Sequence, residues 1–197
     1  LSAPPLPATY GRTAEIPAGA FTLSRFHAGR IESFTPVAYE ANDRPWALAL
    51  RDDAPVVLSD HAVRLFDPQA KAWRRLALSL PDGRRLFAGD PAVAVSNDGR
   101  TLFAGFNKGE WGGGMVAIDL ASGRVSPVEA RKSAELCAGP LNGECDPVTG
   151  IVPDPDHPQC VLASIGLSHM LMHGGIIRAC PGRADLVFEQ ALESPSD

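Results

Sequence analysis

The sequence predicts an all-β protein assembled from four-stranded antiparallel meanders, and three observations predict it. Nineteen glycines and eighteen prolines make up about one residue in five of the 197. Long helices tolerate neither, whereas strand-and-turn proteins use both as punctuation. The apolar runs are short and are broken by Asn, Asp and Gly turns. One outline also recurs: an apolar strand, a polar loop closed by glycines, then a second strand. It occurs in "LFAGFNKGEWGGGMVAIDLASGRV" (102–125) and again in "VLASIGLSHMLMHGGIIRAC" (161–180).

The elements follow in order. Residues 1–12 read as an extended Pro-rich leader, and 193–197 as a flexible tail, with one β domain over 13–192. In the first readable unit, a strand at Trp46–Leu50 meets a turn at Asp52–Asp53 and a strand at Val56–Leu58. A third strand, Val63–Phe66, ends in the turn "DPQAKA" before Trp73. The second unit places Val93 and Val95 before the turn Asn97-Asp98-Gly99, then Leu102 and Phe103. "MVAIDLASGRVSPVE" adds a strand, the turn Ala121-Ser122-Gly123 and a closing strand. The third unit repeats the pattern through "VTGIVPDPDHPQCVLASIG" and "GGIIRACPGRADLVFEQ". Asp67 and Asp119 close the third strand of successive units, 52 residues apart. Helix is expected only in short pieces, the best candidate being Ser126–Cys137.

A lone meander leaves one face exposed, and packing copies face to face around an axis buries both. The expected architecture is therefore a β-propeller-like array, with a β-sandwich as the alternative. Here the residues also carry a resemblance. "VAVSNDGRTLFAGF" followed by "GGGMVAIDLASGRV" resembles the blade consensus of bacterial YVTN-type and quinoprotein-type propellers. The match is good over Ala92–Val128, moderate over Val148–Glu189 and loose over Trp46–Leu78. It implies the fold alone, because such propellers include enzymes, binding modules and scaffolds. With the Thr13–Tyr39 region the units make about four blades. That is a small ring, a part of a larger molecule, or an incomplete ring closed by a second chain through its unpaired edges.

Composition narrows the partners. A net charge of −5 with scattered Lys and Arg argues against nucleic acid and against an anionic membrane surface. No apolar run approaches the roughly 20 residues of a spanning helix. The chain has no initiator Met and no signal-peptide core, so it reads as a mature or trimmed product. Its four cysteines form two neighbouring pairs, and proximity favours disulfides Cys137–Cys145 and Cys160–Cys180. Buried thiols and a metal site are the other readings, although no C-x-x-C pair occurs. Disulfides imply an oxidising, extracytoplasmic setting, periplasmic or secreted.

The two matching loops, 107–114 and 166–175, connect the second and third strands of their units and carry the candidate residues. Asn107, Glu110 and Trp111 lie in the first, and His169 and His173 in the second. A carboxylate beside an indole is a recognition pair for sugars or cations; the plain alternative is packing of Trp111 and solvation of Glu110. His169 and His173 are four apart, and with Glu110 they make a conceivable metal set, although H-E-x-x-H is absent. Ser59, Asp60 and His61 are adjacent in sequence and cannot converge as a triad, and no G-x-S-x-G occurs. Asp146, Asp154 and Asp156 raise calcium, but the EF-hand frame is absent, and Asp154-Pro155 and Asp156 are expected to set the turn. The resulting expectation is a non-catalytic extracytoplasmic module offering both loops to a protein or glycan partner. It needs no cofactor. The alternative is a hydrolase or lyase that binds a divalent metal through Glu110, His169 and His173.

Overall fold

The computed structural model describes residues 16–80, 90–128, 138–167 and 173–190, all of it strand, turn or loop apart from one short 3-10 turn. The chain divides into two compact units between Arg44 and Pro45.

The first unit pairs β1 (Gly19–Phe21) with β4 (Val37–Tyr39) and β2 (Ser24–His27) with β3 (Arg30–Ser33), each pair antiparallel. Ala28 and Gly29 both have positive φ, the two-residue turn whose twist matches a hairpin. This region therefore forms two two-stranded sheets where a fourth four-stranded group was expected. Its strands are only three or four residues long, and every residue of β2 and β3 is exposed. Such strands bury too little to build a larger sheet.

The second unit holds three four-stranded antiparallel meanders, each with its strands in chain order. The first comprises β5 (Pro45–Arg51), β6 (Ala54–Ser59), β7 (Ala62–Asp67) and β8 (Ala72–Ala77). The second comprises β9 (Asp90–Val95), β10 (Thr101–Asn107), β11 (Met115–Asp119) and β12 (Val125–Val128). The third comprises β13 (Val148–Pro153), β14 (Val161–Leu167), β15 (His173–Cys180) and β16 (Arg183–Gln190). The helix candidate Ser126–Cys137 is corrected over its first residues, because 126–128 lie in β12; residues 129–137 are outside the described set. Ser126 and Pro127 sit opposite Ala117 and Val116, so pairing with β11 overrides local propensity.

The turns explain the meanders. Asp52 and Asp53 both take positive φ between β5 and β6. Asp67 and Asp119, 52 residues apart, act identically at the ends of β7 and β11. Oδ1 of Asp67 accepts from the amides of Gln69 and Ala70, and Oδ1 of Asp119 from those of Ala121 and Ser122. The carboxylate takes amides that the reversing chain would otherwise leave unpaired.

Strand alternation then sorts the side chains into two cores. Val56, Leu58, Val63 and Leu65 of the first sheet pack with Val95, Leu102, Phe106 and Ile118 of the second. The residues between them in β9, β10 and β11, Ala94, Phe103 and Ala117, face the other way and pack with Val161, Ala163, Ile177 and Ala179 of the third sheet. The middle sheet is thus covered on both faces, and its first strand, β9, adjoins both β5 and β13. Three stacked layers are one more than a two-sheet sandwich has. The sheets also share hydrogen bonds: Ser79 donates to the Gly123 carbonyl and accepts from the Val125 amide. Gly123 has to be glycine, since its φ is +76° and a Cβ would overlap the Ala77 carbonyl.

Candidate functional site

The two matching loops meet on one short segment, 142–147, which precedes β13. The first loop is built by its own polar and glycine residues. Oδ1 of Asn107 accepts from the Gly109 amide and starts the 3-10 turn Gly109–Trp111. The Lys108 amide then bonds to the Gly112 carbonyl, and the Phe106 amide to the Gly114 carbonyl. The Gly113 amide donates to the Gly143 carbonyl and the Gly114 amide to that of Asp146. Gly112 has φ +72°, and a Cβ there would lie 2.5 Å from the Glu144 carbonyl carbon. The glycine run is therefore a requirement of close backbone approach. The outcome is a pinned loop whose tip carries Glu110, exposed, and Trp111, 79 % exposed. Asn107 serves the loop itself, because its side-chain acceptor is used at home.

The second loop joins the same segment through its flanks. The Gly166 amide donates to the Pro147 carbonyl. His173, the first residue of β15, faces Leu167 across the strand pair, and its Nε2 lies 2.9 Å from Oδ1 of Asp146. His169 lies outside the described residues. Sequence reasoning weighed Asp146 only in a calcium reading and missed it as the partner of His173. The available signal was its place in "NGECDP", where a turn ends beside a cysteine.

Asp146 is the hub of this corner. Its side chain is 6 % exposed, against 26 % for His173. Oδ2 accepts from the Asn142 amide at 2.6 Å, and the Asp146 amide donates back to the Asn142 carbonyl. Burial raises the carboxyl above its ordinary pKa, opposed by the Asn142 amide and by His173. Asn142 is fully buried; its Oδ1 accepts from the Glu144 amide, while Nδ2 is without a hydrogen-bond partner. Cys145, in the same turn, is disulfide-bonded; its expected partner Cys137 is outside the described residues. Chemically, the pair is an imidazole oriented by a buried carboxylate. No group of three His, Cys, Asp or Glu side chains arranged for a metal occurs among the described residues.

The remaining candidates resolve separately. Ser59 is buried, donates to the Ala62 carbonyl and accepts from Nη1 of Arg64, so its hydroxyl is committed to the fold. Asp154 sets the turn after β13, its Oδ1 accepting from the amides of Asp156 and His157. Its Oδ2 is 2.6 Å from Nε of Arg178 on β15. Burial raises its pKa, but the Arg178 hydrogen bond and the two turn amides outweigh that and bring it to about 2. The same turn joins the second sheet: Nδ2 of Asn97 donates to the Asp154 carbonyl, and the Asp98 amide to that of Pro158. The disulfide Cys160–Cys180 closes the base of β14 and β15, as the sequence predicted.

No protein-family model matches this chain, and no curated protein is significantly similar to it. What the fold and site define is a class: an all-β protein of stacked four-stranded meanders, disulfide-linked, with a pinned loop that displays a tryptophan. No helix among the described residues is long and apolar enough to cross a membrane.

Proposed function

We propose that the protein is a non-catalytic binding module of the bacterial β-propeller repeat type that works outside the cytoplasm. It presents loops 107–114 and 166–175 to a protein or glycan partner. The observation that carries this reading is Trp111, 79 % exposed on a loop held by backbone hydrogen bonds to Gly143 and Asp146. A large amphipathic ring on a stiff support loses little entropy on binding, which is why tryptophan dominates recognition surfaces. Glu110 beside it adds a charged acceptor.

Three meanders whose first strands adjoin, with the middle sheet covered on both faces, support the blade reading. The outward face of the last sheet carries Val152, Ile176 and Phe188, 57 %, 39 % and 53 % exposed. An incomplete array that a second chain completes accounts for that face. The Cys160–Cys180 disulfide favours the periplasm or the exterior.

The test is a photo-crosslinking phenylalanine analogue at position 111 in the full chain, run beside a glycan array with wild type and Trp111→Ala. A specific adduct, or a glycan signal lost in the alanine variant, is the expected result. The absence of both an adduct and a Trp111-dependent glycan signal would overturn the reading. The metal-dependent alternative predicts a stoichiometric divalent ion in native mass spectrometry that is lost when His169 and His173 are both replaced by Ala.

A further inference from the structure

The second unit holds a concentration of positive charge that runs against the sign of the chain. Arg51 at the end of β5, Arg74 on β8 and Arg100 in the β9–β10 turn line one cleft of about 310 Å³ between the first and second sheets. Asp119 is the single acid among the described residues on its wall. In a protein of net charge −5, the described residues of this cleft carry three cations against one anion.

Among the described residues none of the three arginines forms an ion pair. Nη2 of Arg74 donates to the neutral Leu120 carbonyl, which fixes the side chain without an ion pair among the described residues. The backbone of Arg100 is set by its amide, which bonds to Oδ1 of Asp98, while its guanidinium has no acceptor among the described residues. That of Arg51 has none either, and it runs along Gly99, where a Cβ would sit 3.1 Å from Nε. Gly99, at φ +68°, thus keeps open the wall on which Arg51 lies. The Asp119 carboxylate is engaged by the Ser122 hydroxyl and two turn amides.

A second cavity of about 300 Å³ shares Arg51 and Arg74 with the first and is lined further by Asp52, Leu65, Phe66 and Asp67. It adds an apolar floor and two carboxylate acceptors beside the cationic cleft. Guanidinium groups bind tetrahedral oxyanions by paired, charge-assisted hydrogen bonds. Guanidinium groups converging from three positions match the three free oxygens of a phosphate or sulfate ester better than the two of a carboxylate.

We propose that the cleft between the first and second sheets is a binding site for a phosphate or sulfate group, held by Arg51, Arg74 and Arg100. The organic part of such a ligand lies in the adjoining cavity, its hydroxyls toward Asp52 and Asp67. The site is separate from the Trp111 loop and does not depend on its function.

The experiment is isothermal titration of the full, disulfide-intact chain with inorganic phosphate, glucose 6-phosphate and heparin. Wild type is compared with Arg51→Gln, Arg100→Gln and Arg183→Gln. Neither the Arg51 nor the Arg100 guanidinium makes a hydrogen bond among the described residues, so both variants keep the fold, checked by circular dichroism. Arg183 pairs with Asp185 on β16 and is the control for general charge. The expected result is saturable binding of at least one probe that weakens about tenfold or more in Arg51→Gln and in Arg100→Gln and is unchanged in Arg183→Gln. Tighter binding of glucose 6-phosphate than of phosphate assigns a small phosphomonoester; the same arginine dependence with heparin alone assigns a sulfated polymer. Absence of saturable binding by all three probes, or equal weakening in Arg183→Gln, would overturn the proposal.

Discussion

Replacing Arg178 by Met isolates the ion pair that ties β15 to the turn after β13. Nε of Arg178 lies 2.6 Å from Oδ2 of Asp154, whose side chain is 1 % exposed against 25 % for Arg178. Removing one partner of a fully buried pair costs about 3–5 kcal/mol, because the other charge is stranded. Arg178 keeps contact with water, and solvent screens the pair, so the expected loss is lower, about 2 kcal/mol at pH 7. Methionine retains most of the apolar stem, so the loss reports on charge. The pH dependence makes the reasoning specific. The Asp154 carboxyl is depressed from 3.8 to about 2 in the fold. Its stabilisation is therefore fully present above pH 3.8 and disappears as the pH falls through 3.8 toward 2. In Arg178→Met, burial is opposed only by the turn contacts from Asp156 and His157, so the carboxyl is depressed less and acid removes less stability from the variant than from the wild type. Urea unfolding of both proteins, disulfides intact, from pH 2 to pH 7 reads the effect. The two stabilities should converge toward pH 2. A difference that stays constant across that range would refute the account and assign the loss to packing.

Three further outcomes are expected. Replacing Cys160 and Cys180 by Ala opens a 20-residue span and should cost about 3 kcal/mol in urea unfolding under oxidising conditions; an unchanged midpoint would place the stability of the third sheet elsewhere. Asp146 is raised by burial, so its native carboxylate lowers stability as the pH climbs from 3.8 through its elevated value. Asp146→Asn, which removes that titration, should flatten the stability profile above pH 3.8, measured by thermal unfolding; a slope identical to wild type would count against it. Gly112→Ala forces a side chain against the Glu144 carbonyl at positive φ. It should cost about 2 kcal/mol and lower the fluorescence anisotropy of the 110–112 loop tip. Unchanged anisotropy would mean that Trp111 does not owe its rigidity to the glycine run.

Much of the fold was legible because its signals are local. The Asp67 and Asp119 turns, the alternation of Val93 and Val95, and the Asp52-Asp53 reversal each depend on residues within a few positions of one another. The failures were of a different kind. Residues 126–128 are compatible with helix and become a strand because β11 lies beside them. The 16–44 region has strand-forming residues, but its strands are too short and exposed to make a four-stranded group. The loops were singled out by length and by their glycines, and both do join second to third strands. Their meeting on 142–147 was invisible, because it depends on how the second and third sheets stack.

The sequence alone determined the all-β class, the succession of meanders and the Cys160–Cys180 link, since turn chemistry and period-two alternation are written in adjacent residues. Only tertiary structure decided which charges meet. Asp146 reaches His173 across 27 residues and Asp154 reaches Arg178 across 24. Arg51, Arg74 and Arg100 come from three separate elements of two sheets to line one cleft. Hydrophobic burial sets how the sheets stack, and the long polar side chains take the neighbours that stacking provides. No local pattern records those neighbours in advance.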